Sequence, residues 1–151
     1  MNVRELKRMA FASERTPRSM FFIIMGNPIP LARPRFSKDG HVWDSQKPQK
    51  LVVGLDLIKQ LGSLPKFEDA LSVDFKFYFP LPTRLSIEHE AKLKGSPHKK
   101  RCDLDNCIKM YLDCSIGVLF EDDCLVSTIN ASKMYDDGKS PRTEMIITEL
   151  F

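Results

Sequence analysis

Residues 71–79 read Leu-Ser-Val-Asp-Phe-Lys-Phe-Tyr-Phe, and the fold class turns on how this stretch is read. Leu71, Val73, Phe75, Phe77 and Phe79 alternate with Ser72, Asp74, Lys76 and Tyr78. A two-residue period puts the first set on one face, which predicts a half-buried strand of an antiparallel or mixed sheet. Such a face needs a covering layer. Upstream, Leu51, Leu55, Ile58 and Leu61 recur at helical spacing between Pro48 and Gly62, predicting a helix that turns this set inward. Downstream, Leu104, Ile108, Tyr111, Leu112 and Ser115 share one side of a second helix that Gly117 can stop. Phe21–Met25 predicts a first strand, and Asp39-Gly40 a hairpin-like turn between Phe36 and Val42-Trp43. Residues 124–135 and 143–150 are two more strand candidates, and 80–97 reads as a connection. The order β, α, β, α, β, β describes a small single-domain α/β fold, a mixed β-sheet packed against two main helices.

Length and composition agree with this. A chain of 151 residues is one ordinary domain and can bury a sizeable core. Its hydrophobic and charged fractions, 42% and 28%, exclude wholesale disorder. The longest strongly apolar run, Met20–Met25, is too short to span a bilayer, and residues 1–19 lack the apolar stretch of a secretory signal. A cytoplasmic protein is expected. Its four cysteines form no C-x-x-C pair and the three histidines sit at no zinc-like spacing, so reduced structural thiols are expected.

The net charge of +3 is contributed by residues 1–19, a basic tail or short helix with five cations against two acids. Residues 20–151 sum to zero, so for a polyanion partner clustering matters more than the total. Lys92, Lys94, Lys99, Lys100 and Arg101 lie in a ten-residue run without an acid. Directly after it come Asp103 and Asp105. Two carboxylates so close repel unless a cation sits between them. The neighbouring cations can serve, giving a solvated loop. A divalent metal can serve too, which frees the cations to hold phosphate.

Asp122 and Asp123, read as the start of the strand after the second helix, can converge with Asp103 and Asp105 on one or two metals. That arrangement suits phosphodiester hydrolysis. Lys109 lies one turn beyond Asp105, where it can pair with the aspartate or offset charge on a phosphate. The plainer alternatives are an N-cap role for Asp103 or Asp105, an Asp105–Lys109–Asp113 ladder on the helix surface, and a polar turn at Asp122-Asp123.

Residues 103–123, DLDNCIKMYLDCSIGVLFEDD, resemble the core signature of the RusA family of Holliday-junction resolvases, roughly D-L-D-N-x-x-K, then D, then G-V-L-x-x-D-D. GNPIPLARPRF and KMYDDGKSPRTEMII are similar to further family segments, so the resemblance covers about residues 21–150. It implies a homodimeric, magnesium-dependent endonuclease, with manganese as a substitute ion, that nicks four-way DNA junctions symmetrically in recombination and repair. By motif position it implies catalytic, metal-binding roles for Asp103, Asp105 and Asp123, with Asp122 as a further metal ligand. Lys109 matches the family's essential lysine, and Asp113 a supporting acid. Arg33 and Arg35, in an Arg-Pro-Arg segment, are expected to touch phosphate, as are Lys99, Lys100 and Arg101; turn-anchoring ion pairs are the alternative for the two arginines. The endonuclease domain would span residues 20–151. Arg101-Cys102 stands where many relatives have Lys-Pro, and Ser115-Ile116 where Leu-Asn is common, departures that bear on loop shape and cut preference.

Two other functions compete: a general flap or branched-DNA nuclease, and a catalytically weak module that binds branched DNA. Paired nicks from a domain with one carboxylate cluster imply a two-fold dimer. Its apolar contact is expected from the strands at 71–79 or 124–150.

Overall fold

A computed structural model describes the backbone of residues 2–151 and the side chains of these residues except 11–14. The elements run α1 (Val3–Glu14), β1 (Ser19–Met25), β2 (Arg35–Phe36), β3 (Val42–Trp43), α2 (Lys47–Leu61), β4 (Ala70–Phe79), α3 (Ile87–Leu93), α4 (Leu104–Ser115), β5 (Val126–Tyr135) and β6 (Arg142–Leu150). A four-stranded sheet has the order β1-β6-β4-β5, and β2 and β3 form a separate two-stranded ribbon. β4 pairs antiparallel with β6 and parallel with β5, which makes the sheet mixed.

The alternation in β4 sets the layering. Leu71, Val73, Phe75 and Phe77 are all at most 1% exposed and join Phe22 of β1 and Met145 and Ile147 of β6 in one core. Burying side chains of this size contributes about 1.5–3 kcal/mol each before the entropy of ordering them is counted. α2 and α4 cover this face through Val53, Leu57, Leu61, Cys107, Met110 and Tyr111, the last with its ring 5.7 Å from that of Phe77. A parallel β4–β5 pair needs a crossover, and residues 80–125, carrying α3 and α4, provide it.

Five expectations are corrected. The inward face of α2 is Val53, Leu57 and Leu61, while Leu51, Leu55 and Ile58 are 64%, 56% and 51% exposed. The stretch from Leu51 to Ile58 is apolar nearly all round, so periodicity alone does not choose a face. Gly54 chooses it: a Cβ there would lie 3.8 Å from the Cys114 carbonyl oxygen, so this side of α2 rests on the backbone of α4. The buried side of α4 is likewise centred on Cys107, Met110, Tyr111 and Cys114, with Leu104 and Ile108 only partly buried.

The 80–97 connection contains α3, capped by Ser86, whose hydroxyl accepts from the His89 N–H. Asp122 and Asp123 do not start a strand. Asp122 caps a single 3-10 turn, Asp123–Leu125, and β5 begins only at Val126. Lastly, β4 is paired on both sides and its apolar face is filled by the core, so residues 71–79 have no open apolar face for the contact expected of them.

The basic N-terminal segment is helical. Asn2 and Glu5 close a capping box at the start of α1. The chain after α1 is tied to the sheet by Glu149, only 4% exposed, which accepts from the Arg18 backbone N–H and pairs with Arg15.

Candidate active site

α4 opens at Asp103, whose carbonyl accepts the Cys107 N–H at 3.2 Å. Its carboxylate makes no cap bond and is exposed, an acceptor without the partner that its position usually supplies. The residue before it, Cys102, sits at φ +115°, unusual for a side chain of any size. Lys133 of β5 holds this turn, its Nζ donating to the carbonyls of Cys102 at 2.7 Å and Lys100 at 3.2 Å. His98 anchors the same loop, its ring stacked 4.4 Å from that of Phe79 and tilted against that of Tyr135 at 4.7 Å.

Asp105, Lys109 and Asp113 follow at four-residue intervals on one stripe of α4, successive Cα atoms rising by about 6 Å. Lys109 Nζ lies 2.9 Å from Asp123 Oδ2 and 3.1 Å from Asp113 Oδ1. Asp113 lies 3.9 Å from Lys50 Nζ, which in turn is 2.6 Å from Asp44. Charges of alternating sign thus run Asp44, Lys50, Asp113, Lys109, Asp123 from α2 across α4 to the turn before β5. The bonds to Asp123 and Asp113 raise the Lys109 pKa, so its ammonium is firmly protonated. Lys109 likewise holds the Asp123 carboxyl below the usual carboxylate range, and the Lys50 ammonium does the same for Asp44.

The structure thus brings Lys109, Asp113 and Asp123 together, with Asp105 one turn from Lys109 on the same stripe. Asp122 is occupied locally, its Oδ1 accepting the Cys124 N–H at 3.0 Å. Among the described residues, no three His, Cys, Asp or Glu side chains stand close enough to enclose a metal ion. The donor chemistry nevertheless fits a hard divalent cation. Every available ligand is a carboxylate oxygen, Asp103 has a carboxylate unclaimed by its helix, and magnesium often takes only one or two protein carboxylates.

Two groups of basic residues belong to segments that adjoin the start of α4, one preceding it in the chain and one following the segment bonded to Asn106. Lys99, Lys100 and Arg101 are exposed and, among the described residues, make no ion pair. Arg33 and Arg35 are also exposed and, among the described residues, make no ion pair, so turn-anchoring ion pairs are not what holds their segment. Backbone contacts hold it instead. The Leu31 N–H donates to the Asn106 carbonyl at 2.9 Å, the Ile29 N–H to the Tyr111 hydroxyl at 3.1 Å, and the Ala32 N–H to Gln46 Oε1 at 2.8 Å. Arg33 therefore follows a segment fixed to α4 and Gln46, and Arg35 opens the β2–β3 ribbon directly after it. Asp44, Lys50, Gln46 and Tyr111 were given no part in a site by the sequence reading. No local signal marks the first two, since they meet Asp113 only because α2 packs on α4.

A family profile described as "Endodeoxyribonuclease RusA" matches residues 25–148. The chain is also 28% identical over 138 residues to the "Uncharacterized protein YqaN" of Bacillus subtilis (strain 168), an alignment covering 85% of this chain and 95% of that protein. Among the described residues, no helix is long and apolar enough to cross a membrane.

Proposed function

The chain belongs to the RusA endodeoxyribonuclease family, and from that premise we propose that it resolves four-way DNA junctions by magnesium-dependent phosphodiester hydrolysis in recombination and repair. The observation that carries this reading is Lys109, held 2.9 Å from Asp123 and one helical turn from Asp105. A protonated lysine embedded among carboxylates at the mouth of a basic surface suits a reaction in which negative charge builds on a phosphate.

In this reading Asp103, Asp105 and Asp123, with Asp122 beside them, would hold the divalent ion, magnesium or manganese. When bound, the ion lowers the pKa of water and stabilises the leaving oxygen. Asp123 is ionised at neutral pH because Lys109 favours its charged form. Lys109 turns from Asp123 toward the scissile phosphate when substrate arrives, and Asp113 steadies its ammonium. Lys99, Lys100 and Arg101 ahead of α4, and Arg33 and Arg35 after the segment bonded to Asn106, grip the backbone of the DNA arms. Two nicks in symmetry-related strands call for two such sites, hence a homodimer with two-fold symmetry.

The test is a magnesium-started cleavage reaction on matched four-way, flap and linear duplex substrates. Paired symmetric nicks confined to the four-way junction are expected. Equal cutting of flaps would point to a general branched-DNA nuclease, and junction binding without any cutting to a binding module.

A further inference from the structure

We propose that the β2–β3 ribbon is a wedge that enters the branch point of a DNA junction and stacks Trp43 and Phe36 on the bases exposed there, an inference that rests on the junction-resolving role above. Each strand of the ribbon is only two residues long, and of its four residues Phe36, Val42 and Trp43 are apolar and 71%, 59% and 46% exposed. Single exposed apolar residues are ordinary. Three of four on one small hairpin form a patch of the kind that marks an interaction site. The register sets Arg35 opposite Trp43 and Phe36 opposite Val42. Residues directly opposite share a face, so Trp43 lies with Arg35 on one face and Phe36 with Val42 on the other. A single-layer ribbon with an aromatic ring on each face has the form of a wedge.

The ribbon is closed at its tip and anchored at its base. At the tip the Ser37 N–H donates to the His41 carbonyl at 2.8 Å, the His41 N–H donates to Ser37 Oγ at 3.1 Å, and Gly40 takes φ +80°. At the base, the buried Gln46 side chain ties the entering chain to the leaving one. Its Nε2 donates to the Pro30 carbonyl at 2.8 Å, and its Oε1 accepts the Ala32 N–H at 2.8 Å. The Leu31 N–H is bonded to the carbonyl of Asn106, the residue after Asp105. The ribbon is thus rooted beside the start of α4, where the proposed metal ligands lie.

Charge and chemistry identify the occupant. Arg33, Arg35 and Lys38 outnumber Asp39 in residues 33–43, which suits a polyanion. Nucleic acid offers phosphate to the cations and flat π-faces to the rings. Within linear duplex each base-pair face is covered by its neighbour, and prising a step apart is unfavourable. At a branch point the stack is already interrupted, so a ring can cover a base face at least cost. The two aromatics therefore favour branched DNA over linear duplex, a selectivity that phosphate contacts alone do not supply.

Trp43 is the only tryptophan in the chain, so its fluorescence reads the contact directly. With calcium in place of magnesium, a four-way junction is expected to quench the fluorescence of the full chain strongly, and saturating linear duplex to quench it little. Trp43→Ala should weaken junction binding roughly tenfold to a hundredfold, the scale of losing one stacked base, with duplex binding and the salt slope unchanged. Trp43→Phe, which keeps a flat ring, should recover most of that affinity, and Phe36→Ala should weaken junction binding in the same sense. Circular dichroism and melting should match the wild type throughout, because both aromatics lie outside the core. Unquenched fluorescence in a bound junction complex, equal quenching by junction and duplex, or wild-type junction affinity in Trp43→Ala would each overturn the inference. Quenching by vesicles of anionic lipid but not by junction DNA would overturn it in favour of a membrane contact. A junction complex that quenches as expected and is never cut on addition of magnesium would leave the wedge standing and remove the nuclease reading. Junctions cut in pairs without quenching would do the reverse.

Discussion

Lys109 makes two contacts that together define its role. It is the one basic residue of α4, and it is bound to Asp123 at 2.9 Å and to Asp113 at 3.1 Å. Lys109→Met should slow junction cutting by about 10²–10³-fold, the scale of losing one preorganised electrostatic partner, with little loss of junction affinity. Carboxyl titration by NMR should show Asp123 moving back up toward the ordinary range in that variant. The sign follows from the depressed folded value: the Lys109–Asp123 pair stabilises the fold above the unfolded carboxylate pKa and loses that contribution as pH falls through the folded one. Asp103→Asn, Asp105→Asn and Asp123→Asn should each abolish cutting while junction binding, measured by gel shift in calcium, persists. Any of the three that cuts like wild type leaves the proposed site. The placement of Asp103, Asp105 and Lys109 about the start of α4 was legible because motif spacing sets them along one helix, whereas Asp123 was expected on a strand and lies in the turn before it. Asp44 and Lys50 were not legible, since nothing in their own neighbourhood shows which helix they will meet.

At the scale of elements, β4 was legible because Leu71, Val73, Phe75 and Phe77 alternate with polar residues, whereas α2 was misread because too many of its positions are apolar. The inward side of α2 is selected by Gly54, whose small size lets the helix rest on α4. Adding a methyl group there meets only ordinary contacts, 3.8 Å from Cys114 O and 3.9 Å from Val118. Gly54→Ala should therefore raise stability by about 0.5–1 kcal/mol through helix propensity, read as a higher urea midpoint. Gly54→Leu should lower it by forcing the helices apart. The β5–β6 turn offers a pH test. Asp137 accepts two bonds from Arg142, which draws its carboxyl down to about 2, while Arg142 stacks 3.8 Å over the Tyr78 ring. A depressed carboxylate stabilises the fold above its unfolded pKa, so this contribution is present at pH 5 and is lost between about pH 4 and 2. Asp137→Asn should remove that step, on the order of 1 kcal/mol after solvent screening, from melts taken across this range.

Across the whole molecule, charge is local. The chain carries +3 in total, yet both groups of proposed phosphate contacts belong to segments that adjoin the start of α4. Neutralising Lys99, Lys100 and Arg101 together should lower the slope of log affinity against log salt by up to about 2.7, at roughly 0.9 per phosphate contact on duplex arms. An unchanged slope would mean the cluster is merely solvated. The mixed sheet against two main helices was legible because period and length together constrain a small domain tightly. The assignment of strands to the interior was not, because strand order depends on long-range pairing that no local pattern encodes. That order has a consequence for how the protein is made. β6, the latest element in the chain, sits between β1 and β4 rather than at an edge. While the ribosome is still extending the chain through residues 142–150, β1 and β4 have a gap between them and the core face has no middle. A nascent chain that stops short of β6 is left not with a trimmed sheet but with two separated halves, and the carboxylates of α4 have no rigid platform. Synthesis to the end of β6 is thus needed before the core face closes and the proposed site gains its platform.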